Sequence, residues 1–319
     1  MQQSPDQDLL RLAEERFDQL LGDGRLFYRD SAVERVQHKG FDVSLSLPRT
    51  TPRKTLLTYP QFQFRVVPAF NAKPMPSVSG SLIGHKKERD PFGDPEEDFV
   101  LAQIKDTHLL QLNKFCTVRP QFILHTKEFA SQNDDLDEAD IAAAFDVLEK
   151  LGQPQVCFYN CGEESGASQQ YKHMQLIPKP SGDEFVFFPD KPMLKGLTPG
   201  QDIKLPATAL DVPYACLIAY PDHKGAATEI YAQYQDMLTQ LQNHFGSIVA
   251  HNVIMTIDWV CVIPRQHRGQ DGVFANSLGM MGMVWVKDAE ERAGWEKFGM
   301  TEHLSAIGYP PILELGQKK

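Results

Sequence analysis

The 319-residue sequence predicts an α+β fold: an antiparallel sheet flanked by helices, arranged as two intimately packed lobes. Three observations carry this. Short strand-like runs come in pairs around turn residues, as antiparallel strands do. Both halves of the chain share a rhythm of strand pair, helix and second strand pair. No G-x-G-x-x-G follows a strand-like run and no Walker motif occurs, which disfavours the doubly wound and P-loop nucleotide folds.

Taken in order, residues 8–21 read as an amphipathic helix, with Leu9, Leu10, Leu12, Phe17, Leu20 and Leu21 on one broad face. Residues 39–75 are strand-like but broken by Pro48, Pro52, Pro60 and Pro68, and the alternating run 61–67 is their clearest strand. Residues 73–98, rich in Pro, Gly, Ser and charge, read as loop. Two strands, 109–112 and 122–126, flank a turn at Pro120. Residues 138–151 have an acidic first turn, an apolar stripe and a closing Gly152, which predicts a helix. Residues 156–159 and 173–177 are strands on either side of a Gly-Ser turn. The polar, Pro-rich stretch 178–206 is the lobe boundary, giving an N-terminal lobe over 1–195 and a C-terminal lobe over 205–316. In the second lobe, 214–220 is a strand, 228–245 a helix, 252–256 and 259–263 strands around Asp258, 283–286 a strand and 289–298 a helix.

Composition narrows the function. With 32 basic against 42 acidic residues the formal net charge is −10, so no general field attracts a polyanion. A small phosphate-bearing ligand captured in a local pocket fits better than a nucleic acid polymer. The five cysteines are sparse and odd in number, unlike a secreted disulfide framework, and read as buried thiols rather than metal ligands. No signal peptide opens the sequence and no run of 18 apolar residues occurs, so the expectation is a cytoplasmic protein, with the nucleus also reachable, and no membrane partner.

The chemistry concentrates in one connection. Gly162 to Ser168 is dense in small residues, so backbone N–H groups can converge on a phosphate, with two hydroxyls as further donors. His173 opens the returning strand, and alternation places Gln175 on its face with Met174 turned into the core. An imidazole beside a phosphate cradle can attack phosphorus, and an amide two residues on can donate to a phosphate oxygen. A lone histidine on a strand is more often packed or solvated, so the residues alone leave both readings open.

The blocks Phe158-Tyr159-Asn160-Cys161-Gly162, Ser165-Gly166-Ala167-Ser168-Gln169 and Lys172-His173-Met174-Gln175 resemble the fungal diadenosine tetraphosphate phosphorylases (ATP adenylyltransferases). These are relatives of galactose-1-phosphate uridylyltransferase in the histidine-triad superfamily. Asp90-Pro91-Phe92-Gly93-Asp94-Pro95 and Leu112-Asn113-Lys114-Phe115 precede these blocks in the family's order. Asn252-Val253-Ile254-Met255-Thr256, Val262-Ile263-Pro264-Arg265, Asn276-Ser277-Leu278-Gly279, Gly282-Met283 and Val286-Lys287-Asp288 follow them. The resemblance implies a histidine-triad-like fold and a reversible phosphorolysis of diadenosine tetraphosphate to ATP and ADP, with phosphate as acceptor and a covalent adenylyl-histidine between. It further implies His173 as nucleophile and Gln175 as its phosphate partner. Asn160, Ser165, Gly166, Ala167 and Ser168 would line the α-phosphate. Lys73, Asn113, Lys114, Asn276, Ser277, Leu278, Met283 and Lys287 would bind nucleotide. For Lys73, Lys114 and Lys287 the competing reading is a solvated surface lysine. No cofactor is required, although Mg²⁺ can accompany a polyphosphate with few protein ligands.

One position departs from the family's H-x-H-x-Q: its first His is Tyr171 here, facing the same side as His173. A phenol can donate a hydrogen bond but is no base at neutral pH. The alternatives are therefore a diverged transferase or hydrolase with another acceptor, or a nucleotide-binding protein without turnover. Glu163 and Glu164, beside the same connection, read as side chains turned to water.

Overall fold

Residues 5–36, 62–67, 91–190, 212–221, 227–247 and 250–312 are described by a computed structural model of the chain. The first helix, α1 (Pro5–Gly22), buries Ala13, Phe17 and Leu20, spaced by helical turns, while Leu12 lies on its outer side. Strands β1 (Val33–Val36) and β2 (Phe62–Val66) pair antiparallel. Then come β3 (Val100–Ile104), β4 (His108–Leu112), β5 (Phe122–Thr126), α2 (Glu138–Lys150), β6 (Gln155–Cys161) and β7 (His173–Pro178). The second half runs β8 (Leu217–Ala219), α3 (Ala227–Phe245), β9 (His251–Met255) and β10 (Val260–Pro264). It continues with a small ribbon of β11 (Gly269–Gln270) and β12 (Val273–Phe274), then α4 (Ser277–Met280), β13 (Met283–Val286), α5 (Ala289–Phe298) and α6 (Met300–Ile307).

Eight strands form one antiparallel sheet in the order β3-β4-β5-β7-β6-β9-β10-β8. Its two halves meet where β6 pairs with β9, from Cys157 opposite Met255 to Cys161 opposite His251. A second join is made by β13, which pairs parallel with β2, Val284 opposite Phe64. The central strands β6, β9 and β10 are buried along their whole length, as their near-continuous apolar sequences require. On one face, Cys157, Tyr159, Met174, Leu176 and Val253 pack with α1, α2 and α3. On the other, Val156, Phe158, Ile177 and Ile254 pack with β2, β13 and the C-terminal helices. That second core stops short of β5, where Ile123 meets only the small cluster of Phe92 and Tyr171.

Several expectations change. Residues 100–104, given no element by the sequence, are the edge strand β3. The strand expected over 214–220 is only three residues long, β8. Within the stretch read as a polar lobe boundary, Phe185, Phe187 and Phe188 are core residues. Residues 37–61, 68–90 and 191–211, and Lys73 among them, lie outside the described set.

Candidate active site

β6 and β7 pair only as far as Phe158 opposite Gln175; beyond that β6 turns to β9 alone, and the strands splay. His173 sits in that fork, 7% exposed. Its Nδ1 is 2.8 Å from the Tyr171 carbonyl. A carbonyl oxygen only accepts, so Nδ1 carries the proton and Nε2 keeps the lone pair. The fork is closed by the amide of Gln132. It accepts from the His173 N–H at 2.8 Å and donates to the carbonyls of Asn160 at 2.8 Å and His173 at 3.3 Å.

Gln175 lies on the same face, and its oxygen accepts from Gln121 Nε2 at 2.9 Å, leaving its NH2 as the group to offer a ligand. Asn160 is similar. Its oxygen takes Asn252 Nδ2 at 3.0 Å, the Ser277 N–H at 2.9 Å and Ser277 Oγ at 2.7 Å, so its NH2 is the donor side left for a ligand. Arg265 lies beneath, donating to Asn252 Oδ1 at 2.7 Å and the Ala275 carbonyl at 3.0 Å. Burial lowers its pKa to about 9, so it remains a cation at neutral pH.

The connection itself corrects the expected cradle. The N–H groups of Ser165, Gly166 and Ala167 are spent on the carbonyls of Gly162, Glu163 and Gly162, at 3.2, 2.9 and 3.3 Å. Ser165 Oγ also donates to the Gly162 carbonyl, at 2.8 Å. These bonds close a tight 3-10 turn (Glu163–Ser165), so the N–H groups of Ser165, Gly166 and Ala167 are not open to an anion. Gly166 is needed for closeness instead. Its φ is +95°, and a Cβ there would come 3.0 Å from the Asn276 Cα. Ser168, the loop's second hydroxyl residue, is exposed. Glu163 and Glu164 are exposed but tied to the Arg268 segment, at 3.0 Å to its guanidinium and 3.1 Å to its backbone N–H.

The remaining expected residues divide. Tyr171 faces the site as alternation requires, yet its hydroxyl donates to the Lys127 carbonyl at 2.8 Å. Asn113 joins the network through its backbone bond to Gln121. Asn276 caps α4, accepting from the Gly279 N–H at 3.0 Å. Leu278 and Met283, expected to bind nucleotide, are buried core residues. Lys114 is ion-paired with Glu96 at 3.0 Å, both side chains being partly exposed. Lys287 is exposed. Gln132, Gln121, Asn252, Arg265, His125 and Phe92 are site or support residues that the sequence did not single out. Only Asn252, Arg265 and Phe92 carried a signal, as members of the family's blocks.

The five cysteines are buried thiols, none of them in a disulfide. Asp135, Cys161 and His251 bring potential ligand atoms within 4.8 Å of one another. Burial, however, pushes the Cys161 thiol up to about 12, and His251 Nε2 is 2.9 Å from the Tyr234 hydroxyl. Among the described residues no helix is long and apolar enough to cross a membrane.

Residues 54–196 match the family model of the Ap4A phosphorylase N-terminal domain, and residues 210–310 that of the ATP adenylyltransferase C-terminal domain. Diadenosine 5',5'''-P1,P4-tetraphosphate phosphorylase 2 of Saccharomyces cerevisiae is 29% identical over 262 residues, 73% of this chain and 78% of that protein. Protein APA1 of the same yeast is 28% identical, over 63% of this chain and 70% of its own length. The crystal structure of yeast Ap4A phosphorylase Apa2 in complex with AMP superposes with a TM-score of 0.75 at 24% identity, covering 98% and 99% of the two chains. The two domain models follow one another along most of the sequence, over a fold shared with Apa2. The chain belongs to the Ap4A phosphorylase/ATP adenylyltransferase family of nucleotidyltransferases.

Proposed function

We propose that this protein phosphorolyses diadenosine tetraphosphate to ATP and ADP, reversibly, through an adenylyl group carried on His173. The observation that carries the reading is the His173 ring: Nδ1–H is donated to the Tyr171 carbonyl, so the nucleophilic Nε2 is presented from a fixed ring. In the first step Nε2 attacks the α-phosphorus and the bond to the departing ATP breaks. In the second an oxygen of inorganic phosphate attacks the same phosphorus, and ADP leaves. The NH2 groups of Gln175 and Asn160 would hold the non-bridging oxygens as charge develops, since the oxygen of each amide is already taken up by the protein. The substrates and products are then small nucleotides and phosphate. Mg²⁺, if it enters, arrives with the polyphosphate. The compartment that fits is the cytosol, with the nucleus accessible.

Nucleotide chromatography after incubation with diadenosine tetraphosphate tests the reading. ATP and ADP appear only when phosphate is supplied, and intact mass shows an adenylyl adduct that His173→Ala lacks. A second reading has its own observation. Because the Tyr171 hydroxyl is donated to Lys127, no base stands at that position, and an acceptor other than phosphate becomes the alternative. AMP released without phosphate would establish a hydrolase and overturn phosphorolysis.

A further inference from the structure

Phe92 belongs to a family block, but nothing above gives it a part in the chemistry. Its ring stacks on His173, centroids 5.1 Å apart and planes at 30°. The same ring lies 5.1 Å from His125, at 33°, and meets Tyr171 edge-on at 5.7 Å. His125 and His173 are cross-strand partners. The bond from the Thr126 N–H to the Lys172 carbonyl, one step along, makes theirs the non-hydrogen-bonded kind of pair, in which side chains lie closest. Phe92 thus spans two adjacent imidazoles and is held flat against the nucleophile. His125 donates its own Nδ1–H to the Thr126 carbonyl at 2.8 Å, which fixes its ring as the second support.

The His173 ring changes charge during the reaction proposed above, on which this inference rests. As the Nε2–P bond forms, the P–O bond to ATP breaks and the oxygen leaves with the electron pair. The Nδ1 proton stays in place, so the ring becomes a cationic phosphoryl-imidazolium. When a phosphate oxygen displaces Nε2, the ring is neutral again. We propose that Phe92 stabilises this transient cation through its π face. A benzene face attracts an imidazolium far more than a neutral imidazole, so the contact favours the covalent intermediate and its flanking transition states over the resting protein.

The test replaces Phe92 in turn with phenylalanines bearing one, two and three ring fluorines, each of which weakens the π face with little change of shape. Single-turnover formation of the adenylyl protein from diadenosine tetraphosphate, without phosphate, is followed by quenching and intact mass. The rate should fall stepwise, by about tenfold across the series, while substrate affinity and melting temperature hold. Phe92→Leu should fall at least as far, and Phe92→Trp should keep most of the rate. Equal rates in folded fluorinated proteins would overturn the role of Phe92 and leave adenylyl-His173 standing. A wild-type protein that never carries the adduct would overturn both.

Discussion

Gln132 uses both ends of its side chain to hold the backbone of His173, the proposed nucleophile, accepting from the His173 N–H and donating to the Asn160 carbonyl. Removing it takes a partner from three buried backbone groups, at a cost of about 1–3 kcal/mol for each left unsatisfied, and lets the fork between β6 and β7 relax. Gln132→Ala should lower kcat on the order of 10²-fold, the penalty of a displacement near 1 Å, with a smaller change in KM. Steady-state kinetics checks it; an unchanged kcat in a folded variant would show that the fork holds without its clip. Gln132 was invisible in the sequence because its partners lie 28 and 41 residues away and nothing local marks it. That His173 and Gln175 share one face of a strand was legible because strand alternation is a local rule. The same rule gave the side on which Tyr171 lies but not the direction of its hydroxyl, which a loop carbonyl decides. The glycine connection misled in the opposite way. Its small residues do permit close approach, but their N–H groups close the turn on itself.

The strand β7 owes its placement to an ionic tie at its root. Lys172, on the face opposite His173, donates to Asp140 Oδ2 at 2.6 Å and to the Asp135 carbonyl at 2.7 Å. His108 reaches the same carboxylate at 2.9 Å. Asp140 also completes a capping box with Asp137 at the start of α2. Burial alone would raise the Asp140 pKa, but His108, Lys172 and the Asp137 backbone N–H outweigh it and hold the carboxyl below its usual value. A carboxylate depressed on folding stabilises the protein above its unfolded pKa, and the contribution is lost as pH falls through the folded value. Asp140→Ala should cost about 3–5 kcal/mol, because the Lys172 ammonium is left buried and uncompensated. Urea melts at neutral pH and near pH 3 check both parts: the variant should be the weaker protein at neutral pH, and the gap should narrow in acid. At this scale the sequence read well wherever a signal is local. The acidic start and Gly152 end of α2 were both visible. The edge strand β3 was not, since four of its five residues are partly or fully exposed and its apolar alternation is weak.

Across the whole molecule, two lobes legible as a repeated rhythm prove to share one sheet. The joint is the β6–β9 pairing, sealed by the Asn160–Asn252 contact between residues 92 apart in sequence. No sequence period foretells such a pairing, because register between distant strands is set by the cores on both faces. Those cores are continuous across the joint: Tyr159 and Met174 pack in one cluster with Val253 and Val262, and Phe158 with Ile254 in the other. Separating the halves would expose both cores and the unpaired edges of β6 and β9 together. The protein should therefore unfold in one transition. The sequence supplies its own probe, since all three tryptophans, Trp259, Trp285 and Trp295, lie in the second half. Their fluorescence reports that half alone, whereas far-ultraviolet circular dichroism reports helices and strands of both. In a urea titration the two curves should coincide at one midpoint. A fluorescence transition displaced from the dichroism curve would mean that the halves melt separately, and that the shared sheet does not couple them.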